Sequence, residues 1–307
     1  MTAKTRTPKA PEKGGLKFTP SGHRYRMSQK PGVIGPDNKF LPVSGVTTLL
    51  GGGIPKPALV RWAPKVVAEW VANPANREAL EQLLAGDPDA AVRELKELPT
   101  KERDAAGIRG TAVHGHAETL HSTGEAPDVP EDLISFVEGY VEFLDRFQIT
   151  AVLAERPVGN RKDWWAGTFD LFATSPLLMS AEDIAAGKVI QIDLKTSKGV
   201  YGETALQTAA YSLGEFYMDD NGDEQPLPEV VATYVAHVTP LDRDGDNARY
   251  DGWPLGTSLY QLAADRDEIK VQYGQFLAAA YTHKMTKYRD GIITDPITIA
   301  ITEQEAA

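Results

Sequence analysis

An α/β fold, with a mixed central β-sheet flanked by helices and an N-terminal helical region ahead of it, is predicted by three observations. Before residue 150 the apolar residues recur at helical spacing, as in Leu133, Phe136, Val137, Tyr140, Phe143 and Leu144. From Thr150 the period falls to two in three consecutive runs, 150–158, 164–173 and 188–194. A helix, a strand and a closing helix follow, and helices, three strands, a helix and a strand in that order imply a mixed sheet covered by helices.

Taken along the chain, residues 1–15 are poor in apolar side chains and rich in Pro, Lys and Thr, which predicts a disordered basic tail. Residues 16–99 read as a hairpin and helical region. The stretch 23–50 alternates in places around Gly32, Gly35, Pro36, Asp37 and Asn38, suggesting a short hairpin followed by Val46–Leu50. After Gly51–Gly53 the pattern turns helical, with Leu59, Trp62, Val66 and Trp70 in phase and Pro64 either kinking the helix or marking its first turn. Residues 76–98 read as one or two short polar helices, with Asp87-Pro88 as a break.

The main domain is expected over 100–290. Thr100 can cap a helix running to about Ser122, on which His114 and His121 share a face while His114 and His116 point roughly 200° apart and cannot chelate together. A second amphipathic helix spans 130–147. After the three strands come a helix over 203–217, a strand over 230–238 and a long helix over 258–284 with Leu259, Leu262, Ile269, Tyr273, Phe276 and Leu277 as its core stripe. Residues 291–307 form a C-terminal tail.

With 307 residues, 42% of them hydrophobic, the chain can bury a sizeable core as one large domain or two small ones. It has no cysteine, which removes disulfides, thiolate zinc sites, thiol nucleophiles and iron–sulfur clusters. No run of about 18 apolar residues occurs and the N-terminus is polar, so a cytoplasmic, non-secreted protein without a membrane partner is expected. The net charge is -11, yet residues 1–40 carry nine Lys or Arg against Glu12 and Asp37, a net of +7. A basic arm on an acidic body can supply phosphate contacts while limiting non-specific adhesion to duplex.

The chemistry concentrates in Gly167-Thr168-Phe169-Asp170 and Ile192-Asp193-Leu194-Lys195-Thr196. Two residues apart on a strand, Asp193 and Lys195 leave the same face, so the ammonium can reach whatever the carboxylate holds. If the run carrying Asp170 is the neighbouring strand, its carboxylate lies beside Asp193, and two carboxylates form an oxygen-rich site suited to Mg²⁺ or Mn²⁺. Singly these residues are ordinary; their order and context carry the argument.

That order is Gly110-Thr111-Ala112-Val113-His114, then Glu155 in a strand, then the segments ending in Asp170 and containing Asp193 and Lys195, then Gln207-Thr208-Ala209-Ala210-Tyr211 on a helix. It resembles the PD-(D/E)xK nuclease superfamily, and within it the RecB-like exonuclease branch, over roughly residues 107–215. The resemblance implies a restriction-endonuclease-like core, with His114, Asp170, Asp193 and the main-chain carbonyl of Leu194 as metal ligands. It also implies that Lys195 orients the attacking water, that Glu155 is a second-metal or water-bridged ligand, and that Gln207 and Tyr211 contact phosphate or brace the lysine. Lacking cluster cysteines, the chain falls in a subgroup without an iron–sulfur cluster. Residues 46–63 resemble the N-terminal part of small bacteriophage exonucleases, which implies a bacterial or phage-infected host cell and N-terminal helices acting as a lid or DNA gate.

The implied function is a metal-dependent DNA exonuclease in recombination, repair or phage DNA metabolism, with DNA as partner and a recombination or replication protein as a further one. An endonuclease of the same fold shares the motif, and a catalytically inactive DNA-binding module is the reading from a different class. No Gly-x-x-x-x-Gly-Lys-[Ser/Thr] occurs, since Gly51–Lys56 lacks the spacing and Pro55 lacks an N–H, so ATP is not expected. Trp164 and Trp165 are adjacent, so one should leave the core and could stack on a base of a single strand.

Overall fold

The structure is a computed structural model that describes residues 15–19, 22, 24–31, 38–125 and 128–296. The expected disordered tail, save Gly15, the hairpin turn over 32–37 and the last part of the C-terminal tail lie outside the described residues.

The chain opens with an antiparallel meander of three strands rather than a hairpin: β1 (Leu16–Thr19), β2 (Arg24–Ser28) and β3 (Phe40–Gly45). The first helix, α1 (Val46–Gly53), begins at Val46 and includes the three glycines, so helix does not wait until after Gly53. Gly52 and Gly53 permit a close approach. A Cβ on Gly53 would fall 2.0 Å from the carbonyl oxygen of Ala279 on α8 (Arg266–Lys284), and one on Gly52 would fall 1.9 Å from His283 Nδ1. In α2 (Pro57–Ala72) Pro57 takes the first turn and Pro64 lies inside the helix; only Val66 is buried and Leu59 is exposed. A 3₁₀ turn (Pro74–Asn76) leads to α3 (Arg77–Ala85).

The break expected at Asp87-Pro88 is present between α3 and the next helix, and the same pair starts that helix. The Asp87 carboxylate accepts from the N–H groups of Asp89 and Ala90, and Pro88 supplies a preset first turn to α4 (Pro88–Thr123), which runs 36 residues without a start at Thr100. The 99/100 boundary drawn from sequence therefore falls inside a continuous helix. The next helix, α5 (Glu131–Arg146), buries the predicted Leu133, Phe136, Val137, Tyr140 and Phe143.

The central sheet places β4 (Thr150–Asn160), β5 (Trp165–Thr174), β6 (Val189–Lys195), β9 (Val230–Val238) and β10 (Thr257–Ala263) side by side. Among these five strands the β6–β9 pair is parallel and the other pairs are antiparallel, so the sheet is mixed. Between them lie α6 (Ala181–Ala185) and α7 (Glu203–Ser212), while β7 (Phe216–Met218) and β8 (Glu224–Gln225) extend the sheet beyond β4, and α9 (Thr286–Asp290) follows α8. Two expectations are corrected here. The helix from Glu203 stops at Ser212, and Tyr217 lies in β7; a Cβ on Gly214 would sit 2.4 Å from Val158 Cγ2 where the chain turns back onto β4. The long closing helix divides into β10, which takes Leu259 and Leu262, and α8, capped by the Asp265 carboxylate on the N–H groups of Asp267 and Glu268.

One core packs α1, α7 and α8 against Phe169, Phe172 and Trp165. The other packs α4 and α5 against Leu171, Ile190, Ile192 and Leu194. Among the described residues no helix is long and apolar enough to cross a membrane.

Candidate metal centre

Along one edge of β5 two strands meet it in turn. The end of β3 runs parallel to its start, pairing Ser44 with Trp165 and Gly45 with Ala166, and β6 runs antiparallel to its end, beginning with Leu171 opposite Ile192. Residues 167–170 lie between these two contacts. Asp170 uses the gap: its Oδ2 accepts the Leu194 N–H at 2.7 Å.

Register then lines up three carboxylates. Ala154 pairs with Leu171 and Arg156 with Phe169, which brings Glu155 opposite Asp170; Leu171 pairs with Ile192, which brings Asp170 opposite Asp193. Like charges across adjacent strands are destabilising unless cations answer them. Glu155 also has φ of 49°, a left-handed backbone within a strand, which costs on the order of 1–3 kcal/mol.

Two cations answer the row. From α4, His114 Nδ1 lies 3.4 Å from Glu155 Oε1 and 3.6 Å from Asp170 Oδ1. Burial alone would push this imidazole down, but the Asp170 and Glu155 carboxylates raise it to about 9. The Lys195 ammonium is ion-paired with Asp193 Oδ2. Its burial would lower its pKa, and Asp193 and Asp170 outweigh that and raise it. Asp193, 1% exposed, is pushed up to about 6 by burial, an effect that Lys195 offsets only in part. Asp170 is likewise raised by burial against the pull of His114 and Lys195.

Ligand atoms of His114, Glu155 and Asp170 all lie within 4.8 Å of one another. Imidazole nitrogen with carboxylate oxygens suits Mn²⁺ or Mg²⁺, and a divalent ion would relieve the like-charge row, so the residues fit such an ion. The grouping differs from the expected ligand set. Asp193 stands outside it, holding Lys195 with Oδ2 and the Gln207 amide, at 3.1 Å, with Oδ1. The Leu194 carbonyl faces Lys195 Nζ at 3.4 Å.

Glu203, Gln207 and Tyr211 share one face of α7. Tyr211 is buried, and the absence of a side chain at Gly167 makes room for it: a Cβ there would lie 2.4 Å from Tyr211 Cε1. Tyr211 thus packs under the strand edge that carries Asp170. His121 bonds the Tyr140 hydroxyl through Nε2 at 2.9 Å and takes no part in the cluster. The tryptophans divide as expected only in part. Trp165 is fully buried, while half-buried Trp164 donates its indole N–H to the Pro42 carbonyl and packs with the meander.

Sequence reasoning missed the cavity beside the cluster. About 260 Å³ in volume, it is lined by Lys195 and Gln207, by Thr47 of α1, by Lys56 at the start of α2, and by the 197–201 loop. Lys56 Nζ pairs with Glu203 Oε1 at 2.9 Å. The only sequence signal was Glu203 four residues before Gln207, on the same helical face. The loop is anchored: Tyr250 donates to the Thr196 carbonyl, His237 Nε2 to the Ser197 carbonyl at 2.8 Å, and Gly199 lies under Trp253. Burial lowers the His237 pKa, so a neutral imidazole makes that bond.

No family model and no curated protein matches this sequence. The functional reading rests on the residues and their geometry.

Proposed function

We propose that the protein is a divalent-metal-dependent DNA exonuclease with a restriction-endonuclease-like core of the RecB-like PD-(D/E)xK type. The observation that carries this reading is the cross-strand row of Glu155, Asp170 and Asp193 at the open edge of β5, with Lys195 two residues past its last member. Mg²⁺ or Mn²⁺ bound there would supply a hydroxide nucleophile near neutral pH and relieve charge on the leaving 3′-oxygen.

The chain's own groups do the rest. His114, Glu155 and Asp170 would hold the ion, and Asp193 completes the acidic wall. Lys195, an ammonium, orients the attacking water and offsets charge that builds on the phosphorane. Gln207 fixes the Asp193 carboxylate, and Tyr211 under Gly167 keeps α7 in register with β5. Carbohydrate hydrolysis by paired carboxylates would leave the lysine beside Asp193 without a role.

The test is incubation with DNA labelled separately at its 5′ and 3′ ends, linear and circular, with Mg²⁺ or Mn²⁺. Degradation of linear but not circular DNA is the expected result and gives the polarity. Nicking of circles would replace this reading with an endonuclease, and binding without cleavage under any metal would replace it with an inactive DNA-binding module.

A further inference from the structure

We infer that the cavity between Lys195 and Tyr201 seats the nucleotide adjoining the scissile phosphate, its base unstacked from any duplex and laid against the Tyr201 ring, its phosphate beside Lys56. The inference rests on the nuclease reading and adds the substrate form, a single-stranded or frayed end.

Tyr201 is 58% exposed, although the loop leading to it is pinned through Thr196, Ser197 and Gly199. Such a residue stands on a firm support in the lining of a cavity that Lys195 also lines. A base offers a π-face to it without regard to sequence.

Charge in the cavity suits a phosphate. Its one carboxylate, Glu203, is neutralised by Lys56, and Lys195 is a second cation in its lining. Thr47 adds a hydroxyl from α1. An incoming phosphate can take over Lys56 from Glu203, exchanging one half-exposed ion pair for another. Duplex bases are stacked on their neighbours, so the Tyr201 face is open only to a nucleotide already freed from the helix.

The experiment compares wild type, Tyr201→Ala, Tyr201→Phe and Lys56→Ala on an end-labelled single-stranded oligonucleotide with Mn²⁺, and on versions carrying one abasic position near the cut end. Tyr201→Ala should raise KM about 5- to 150-fold, the value of one lost base–aromatic stack, while Tyr201→Phe stays near wild type and Lys56→Ala raises KM with little change in kcat. At one abasic position wild type should fall to the level of Tyr201→Ala, and the variant should lose nothing more. An unchanged KM in Tyr201→Ala, or abasic and Tyr201 effects that multiply at every position, overturns the inference and leaves the nuclease reading standing. A folded wild type that cleaves no nucleic acid overturns both.

Discussion

At His114 burial and charge pull in opposite directions, and charge prevails, raising the imidazole to about 9. Ligation needs a neutral ring, so below that value each bound ion must displace a proton, and metal affinity should climb by about tenfold per pH unit towards it. Calorimetric titration of Mn²⁺ at pH 7 in buffers of different ionisation enthalpy should register about one proton released per ion; no release would place the ion elsewhere. The same raised pKa sets the sign of the stability effect. What His114 contributes to the metal-free fold is fully present below its ordinary 6.5 and lost as pH rises through about 9. Metal-free melting temperature should therefore fall between those values, and the gain on adding Mn²⁺ should grow. Lys195→Ala leaves Asp193 buried without its cation and removes the fixed charge beside the reacting phosphate, so kcat should drop about 10²- to 10³-fold, as measured on end-labelled DNA.

Elements here are positioned by close approach, and glycines make it possible. Gly53→Ala would drive a methyl into the Ala279 carbonyl and part α1 from α8, lowering stability by about 1–3 kcal/mol in urea unfolding. Gly167→Ala would displace the buried Tyr211, and through α7 the Gln207 that holds Asp193, so activity should fall and the melting temperature with it, as end-labelled DNA cleavage and thermal unfolding would show. These glycines also explain where sequence reading stopped. The helix is not expected to start until after Gly53 because glycine is a poor helix former; only α8, more than 200 residues further on, shows why Gly52 and Gly53 lack side chains. The Leu259 and Leu262 spacing imitates a helical stripe within β10, and Asp87-Pro88 is both the expected break and the cap of the following helix. By contrast 230–238 and α5 were readable to within a residue or so, since period and composition agree there with packing.

For the molecule as a whole, a chain of net charge -11 would have to gain any hold on a polyanion locally. Cleavage should weaken as salt rises, with a shallow dependence that reflects few phosphate contacts; a steep one measured between 50 and 200 mM salt would call for a wider basic surface than the site provides. The site's carboxylates and lysine were legible because strand period alone sets Asp193 and Lys195 on one face, and a neighbouring strand places Asp170 beside them. The cavity was not, because it forms where the start of α2 meets the start of α7, an encounter between residues 56 and 203 that no local pattern encodes. The most direct measurement is the rate of Mn²⁺-dependent hydrolysis of end-labelled linear DNA by wild type and by Asp170→Asn, both checked by circular dichroism. The account predicts cleavage by the wild type, abolished by chelator and reduced at least about 10²-fold in the variant. Equal rates in the two folded proteins, or cleavage that persists without metal, would contradict it.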